Sequence, residues 1–404
     1  MRTVLTSTLA TIAILLPFSF AQASLQNPPQ AAFNSHELHP DHTVTFRYKD
    51  STAAEVRLSL EGSAHPLIMH RGDAGIWSVT TAPLAPELYR YSFQVEGKSH
   101  ADPENPRVIA GFTAPNSMLD VPGATPEPWE TTAVPHGVLH RHVYSTKIVL
   151  GLPNNQSEYI VYTPPGYDAQ HKAKHPYPVL YLLHGWSDRD DGWTATGQAN
   201  LIFDNLIAER RIKPMVVVMP FGYGDMAFAH NGHGVWDDPV KVAHNVSLFR
   251  QALLTEVLPQ VEKDYDVSRK REDRAIAGLS MGGLEALTTG LTDPNLFAWV
   301  GGMSSAFHST FYTREFSTLD PKQENLKLLW ISCGTEDRLL DPNRKFIAFL
   351  ESKQIPVTPV ETPGMHTWLV WRENLIHFAP LLFQNQTLSQ NQRPPILKSA
   401  AQRR

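Results

Sequence analysis

Two rhythms of apolar and polar positions divide this chain. From about residue 42 to 120 the period is two. Val44, Phe46 and Tyr48 alternate with Thr45 and Arg47; Val56, Leu58 and Leu60 alternate with Glu55, Arg57 and Ser59. Tyr89, Tyr91, Phe93 and Val95 alternate with Arg90, Ser92, Gln94 and Glu96. Side chains of a strand point to opposite faces in turn, so these runs predict half-buried strands. The Gly, Pro and Asp clusters between them predict turns, and together they predict a small antiparallel β-sandwich over 42–120. Tyr89, Tyr91 and Phe93 share a face with Val95, which favours a buried core over a sugar-stacking platform.

Residues 121–140 carry Pro122, Pro126, Pro128 and Pro135, a linker composition. Beyond it the apolar residues run together, at 177–183, 215–219, 275–277, 297–300 and 326–331, and a further strand is read at 357–362. Near-continuous apolar strands imply burial on both faces, as in a parallel sheet. Helical patterns at 199–209, 246–265, 281–291 and 344–353 lie between them. Strand and helix in alternation predict a doubly wound, mostly parallel α/β domain over 141–384. The stretch 222–238 is long for a strand-to-helix connection and is expected to cover the substrate.

The ends differ from this body. Met1-Arg2, an apolar stretch of about residues 9–20 broken by Pro17, and Ala21-Gln22-Ala23 predict a signal peptide at 1–23 rather than a membrane anchor. Export to the periplasm or the cell exterior is the corresponding expectation. Residues 24–41 form an N-terminal segment, and the polar stretch 385–404 is expected to be a disordered tail. The net charge of −5 and the lack of an earlier basic run argue against a nucleic-acid partner. Cys333 is the sole cysteine and sits in an apolar run, so it reads as a buried strand residue.

Candidate chemistry centres on Gly278-Leu279-Ser280-Met281-Gly282, between a short apolar run and a helical pattern. Strand, sharp turn with a serine, then helix is the geometry of a nucleophile elbow. The pattern arises by chance in roughly one chain in ten of this length, so its partners decide its value. A serine hydroxyl needs a base, and the base an acidic orienter. In folds that carry such an elbow these follow in the order Ser, Asp or Glu, His, at strand ends. Gly334-Thr335-Glu336-Asp337 follows one predicted strand and Pro363-Gly364-Met365-His366 the next. Asp337 is assigned as orienter and His366 as general base. Asp341 and Glu336 are rival acids on the same loop, and Asp341 reads as the cap of a helix starting near Pro342. His377, a rival base, falls inside the last helix. The oxyanion of a tetrahedral intermediate needs two amide donors. One is the Met281 amide, after the nucleophile. The other is expected in Leu182-Leu183-His184-Gly185-Trp186, with Trp186 chosen and Gly185 as the alternative; His184 is expected to hold that loop. Neither His230 with His233 nor His36, His39 and His42 makes a full metal-ligand set, and no cofactor is expected.

Taken together, Tyr181 to Trp186 with Trp193, Pro220-Phe221-Gly222-Tyr223-Gly224, Ala277 to Gly283, Cys333 to Asp337, and Gly364-Met365-His366 with Trp368 resemble the esterase D-like branch of the α/β-hydrolases. That branch includes feruloyl, acetylxylan and enterochelin-type esterases. The resemblance implies an α/β-hydrolase fold, a Ser280–His366–Asp337 triad, and Trp186, after the His-Gly pair, as the first oxyanion donor. The N-terminal part resembles the early-set or carbohydrate-binding-module-like sandwich that precedes some of these esterases. It does so through Trp77, the turn at 83–89 and Asp102-Pro103-Glu104-Asn105-Pro106. The resemblance implies an exported serine esterase acting on feruloyl or acetyl esters of plant polysaccharide, or else on a siderophore or another small ester. A sandwich that only carried sugar affinity would be dispensable for small esters.

Overall fold

The alternating segments pair as antiparallel strands in two sheets. In the computed structural model, which describes residues 33–112, 115–168, 176–307, 309–320 and 325–384, β1 (His36–Leu38), β2 (Val44–Lys49), β6 (Ile76–Thr80) and β5 (His70–Arg71) lie in that order. The facing sheet runs β4 (Leu67–Ile68), β3 (Val56–Leu60), β7 (Glu87–Val95), β10 (Asn116–Val121), β9 (Val108–Ile109), with β8 (Lys98–His100) paired to β7. Val44, Phe46, Val56, Leu58, Tyr89, Tyr91 and Phe93 fill the space between the sheets, so the β7 aromatics are core. Burying a tyrosine requires a partner for its hydroxyl. Tyr91 donates to Asp102 Oδ2 at 2.6 Å and accepts from Asn105 Nδ2 at 2.9 Å, which accounts for the Asp102 to Pro106 turn. The signal peptide expected at 1–23 and the tail expected at 385–404 lie outside the described residues.

β7 departs from the half-buried expectation. Leu88 and Ser92, on its polar-pattern face, are buried as well. Leu88 and Met118 belong to the same apolar cluster as Trp193, Trp368 and Trp371 of the second layer, so this sheet is covered on both sides.

The second layer is one eight-stranded sheet. β11 (Val138–Ser145), β12 (Gln156–Thr163), β14 (Val216–Pro220), β13 (Val179–Leu183), β15 (Arg274–Leu279), β16 (Trp299–Met303), β17 (Leu328–Gly334) and β18 (Thr358–Thr362) lie in that order. β12 pairs antiparallel with both β11 and β14, and all other neighbours pair parallel. Every residue of β13 through β17 is buried, as their unbroken apolar runs require, and the two apolar clusters of this layer supply the core.

Three local differences have identifiable causes. The helix expected at 246–265 starts earlier, as Pro239–Ala252, because Asp238 accepts the amides of Val240 and Lys241 and Pro239 occupies the first turn. It then passes through a π turn, Leu253–Val257, before Leu258–Asp264. Pro259 has no N–H to continue the regular ladder, which fits an interruption there. The proline-rich stretch 121–140 packs against the helix Ala199–Ala208. Trp129 is buried, Asn205 Nδ2 donates to the carbonyls of Pro128 and Glu130, His136 pairs with Asp204 at 2.9 Å, and β11 already begins at Val138. Proline here fixes the path of a packed strap. The described residues from Ser35 onward accordingly belong to one compact unit. Among the described residues, no helix is long and apolar enough to cross a membrane.

Candidate active site

Ser280 joins β15 to the helix Met281–Thr292 with φ 51° and ψ −112°, a backbone state strained for an L-residue. Its surroundings hold it there. The Ser280 amide donates to Met303 O at 2.8 Å, and its carbonyl accepts from Leu284 at 3.0 Å and Ala306 at 3.1 Å. The flanking glycines are sterically required. A Cβ on Gly278 would lie 2.8 Å from Leu183 Cβ, and one on Gly282 would strike the backbone of Leu183 and His184.

Three of the predicted site residues meet. His366 Nε2 lies 3.0 Å from Ser280 Oγ, and His366 Nδ1 lies 2.8 Å from Asp337 Oδ2. An ionised carboxylate only accepts, so Nδ1 carries the ring hydrogen and Nε2 is free to accept from the serine. Burial pushes the Asp337 carboxyl upward. Hydrogen bonds from His366, Leu339 and Ser304, with the charge of His366, outweigh it and hold the group below the usual aspartate range. Asp341 does not cap the following helix. That helix, Leu340–Ser352, starts before Pro342, so Asp341 lies within its first turn and faces Arg344 at 3.9 Å. Asp337 Oδ1 instead accepts the Leu339 amide at 2.8 Å. His377 sits away from the serine and pairs with Glu373 at 2.9 Å.

The loop after β13 is pinned through His184. Its Nδ1 donates to Gly185 O and its Nε2 accepts from the Gly222 amide, both at 2.8 Å, which identifies the neutral ring. Burial pushes its pKa down to about 4, in accord with that state. The C=O and N–H of a trans peptide point in opposite directions. Holding Gly185 O on the imidazole therefore turns the Trp186 amide the other way. Trp186 Nε1 donates to Phe228 O at 2.9 Å, and the Ser187 amide to Tyr223 Oη at 2.7 Å. Met281 opens its helix, so its amide has no partner in the helical ladder.

Ser280 and His366 open onto a cavity of about 360 Å³ walled by Trp186, Trp236, Phe307 and Trp371. The stretch 222–238 reaches it, but as two short helices, Met226–His230 and His233–Asp237, not as an open loop. His233 contacts Trp186, and its Nε2 lies 3.5 Å from Arg338 Nη2. Four residues that shape the site had no signal in the motifs. Trp371 packs perpendicular to the His366 ring, with centroids 4.9 Å apart, and donates Nε1 to Ser304 Oγ at 3.1 Å. Glu61 and Arg90 come from the sandwich: Glu61 Oε1 accepts the Trp368 amide at 2.8 Å, and Arg90 lines the cavity. Arg90 Nη1 lies 3.7 Å from Asp188 Oδ1. Burial pushes the Asp188 carboxyl up to about 6 against the pull of Arg90. The strand pattern alone marks Arg90 as a polar position but not that another layer covers it.

The sheet order, the strained serine turn and the loops at its strand ends define an α/β-hydrolase fold with an N-terminal β-sandwich. The chain belongs to the Esterase family, whose pattern matches residues 152–382. It is 28% identical to an endo-1,4-beta-xylanase/feruloyl esterase of Xylanibacter ruminicola over 84% of this chain. The alignment takes in 44% of that protein, so the chain spans less than half the length of that relative. An enterochelin esterase from Shigella flexneri superposes with TM-score 0.65 at 20% identity, covering 86% of this chain and 95% of that one. A ferulic acid esterase from Anaeromyces mucronatus superposes with TM-score 0.53 at 22% identity, covering 64% and 96%.

Proposed function

We propose that this chain is an exported serine carboxylic-ester hydrolase. The observation that carries the reading is the unbroken relay Ser280 Oγ, His366, Asp337, at 3.0 and 2.8 Å, on the wall of a cavity. In this reading His366 Nε2 takes the Ser280 proton as Oγ attacks the ester carbonyl, and Asp337 stabilises the imidazolium that forms. The amides of Trp186 and Met281 hold the oxyanion. The alcohol leaves with the proton from His366, and a water activated by the same ring then releases the acid. No step needs a cofactor or metal. Export rests on residues 1–23 alone, and the destination is the periplasm or the cell exterior.

The substrates proposed are feruloyl or acetyl esters of plant polysaccharide, supported by the similarity to a xylanase/feruloyl esterase. A siderophore of the enterochelin type, or another small ester, is the second reading. It is favoured by the extent of the superposition, which takes in most of the sandwich as well as the hydrolase layer. A sugar-binding protein without catalysis would have no use for an aligned relay. Ser280→Ala should lower turnover of p-nitrophenyl acetate by roughly a millionfold; retained turnover would sink the reading. Methyl ferulate, acetylated xylan and a catechol trilactone, assayed side by side, separate the substrate classes.

A further inference from the structure

The polar end of the cavity is built across two layers. Arg90 projects from β7 of the sandwich, Asp188 from the loop after β13, and both line the cavity that holds Ser280. Arg90 is underused by the protein. Its Nε is buried with no hydrogen-bond partner, and the two carboxylates beside it stand at 3.4 Å (Glu61) and 3.7 Å (Asp188), longer than good hydrogen bonds. Glu61 is committed elsewhere, since its Oε1 accepts the Trp368 amide and its Oε2 the Arg90 amide. The result is a guanidinium with spare donors beside a carboxylate with spare lone pairs.

The charge at this end selects among ligands. Arg90 is flanked by two acids, so the spot has no net positive charge and offers a bare anion little. A neutral hydroxyl both donates and accepts. Two adjacent hydroxyls can therefore satisfy Arg90 and Asp188 together, one accepting from the guanidinium and the other donating to the carboxylate. We infer that Arg90 and Asp188 form a subsite for a vicinal diol on the ester substrate, so that the sandwich supplies part of substrate recognition. This rests on the esterase reading above. The diol has two sources, a sugar on the alcohol side or a catechol carried by a small ester, and the same chemistry serves both.

Matched ester pairs test it in the full-length chain. In the sugar arm, kcat/KM for 5-O-feruloyl-arabinofuranose is divided by that for methyl ferulate. In the catechol arm, an N-(2,3-dihydroxybenzoyl)-serine ester is compared with its N-benzoyl counterpart. Arg90→Gln and Asp188→Asn should each lower the ratio by about 10- to 100-fold in one arm, through KM more than kcat, as expected for lost hydrogen bonds to charged groups. A drop in the sugar arm assigns the diol to a sugar, and one in the catechol arm assigns it to a catechol. Ratios unchanged in both arms overturn the subsite while leaving the esterase reading intact. Esters turned over equally by the natural chain and by Ser280→Ala overturn the esterase reading itself. Should the variants not fold, inhibition of the natural chain replaces them. Methyl arabinofuranoside against its 2-deoxy form, and catechol against phenol, should show tighter binding of the diol in one pair; equal inhibition in both overturns the proposal.

Discussion

The Glu61 carboxylate accepts the amide hydrogen of Trp368 at 2.8 Å, tying the sandwich to the first residue of the helix that follows His366. Thr367, at the N-cap position of that helix, makes no capping bond with its own side chain. Glu61 takes over that role from another part of the chain, and its charge suits a helix N-terminus. The next residue, Gly62, has φ 83°, and a Cβ there would lie 3.0 Å from Leu369.

Glu61→Ala should therefore disturb the start of the helix and, through it, the His366 ring. The expected result is a kcat lowered by about tenfold or more, since a small displacement of a reacting group is costly. Loss of the cap should also remove about 1 kcal/mol of stability. Glu61→Gln keeps an acceptor oxygen and should recover most of kcat. An unchanged kcat in the alanine variant would mean that the helix start is set without the sandwich.

A sandwich that served only as a tethered sugar module could be removed without harm to small-ester turnover. The packing predicts otherwise. Arg372, fully buried in the helix Trp368–Phe378, donates to Glu87 at 2.9 Å, to Leu88 O and to Thr196 O. Its guanidinium also lies over the Trp129 ring. Deleting residues 35–121 strands this charge and uncovers the apolar cluster shared with Leu88 and Met118. Turnover of p-nitrophenyl acetate should be lost with the fold. Arg372→Leu alone should cost about 3–5 kcal/mol in urea unfolding, because it leaves a buried carboxylate unpaired. A truncated chain that stays folded and active would refute this account.

What was legible in the sequence follows from where the chemistry sits. Ser280 and Asp337 follow unbroken apolar runs, and a run buried on both faces announces where its loop must emerge, whereas His366 follows the partly buried strand Thr358–Thr362. Five of the sheet's eight strands, β13 to β17, were legible for the same reason, to within three residues at their ends, whereas β11, which carries no such run, and β12 were not. Glu61, Arg90, Ser304 and Trp371 act across the contact between layers. Period two tells which face of β7 is polar, not that a helix and a loop will cover it, so Arg90 read as solvent-facing. The stretch 121–140 misled in a related way, because proline restricts a chain whether it is free or packed.

Ser304 offers a separable test of how Asp337 is held. It lies at the end of β16 with φ 48°, accepts from Trp371 Nε1 and donates to the Asp337 carboxylate. Removing one donor from a buried carboxylate weakens the ionised form. Ser304→Ala should raise the Asp337 pKa toward ordinary values, with a kcat lowered severalfold and the acid limb of the kcat–pH profile moved up. Ser304→Thr keeps the donor and should restore the profile. A profile identical to that of the natural chain in Ser304→Ala would show that His366 and Leu339 suffice.

His184 makes stability depend on pH in a definable window. The folded ring is neutral, with its pKa pushed from 6.5 down to about 4 by burial. The unfolded chain takes up a proton as pH falls through 6.5 while the folded chain does not. The contribution is thus fully present above pH 6.5 and is lost progressively between 6.5 and 4, to a total of about 3 kcal/mol. Asp337, also held below its ordinary value, loses its contribution only below its unfolded value of 3.8, so the two windows are distinct. His184→Asn offers a donor and an acceptor without a proton to titrate. Urea unfolding at pH 7.5 and 4.5 should show a smaller difference for the variant than for the natural chain. Because His184 orients the Gly185–Trp186 peptide, protonation in the natural chain should also free the Trp186 amide from its fixed direction. An equal pH dependence in the two proteins would place the acid sensitivity on other groups and leave the loop after β13 without its proposed clamp.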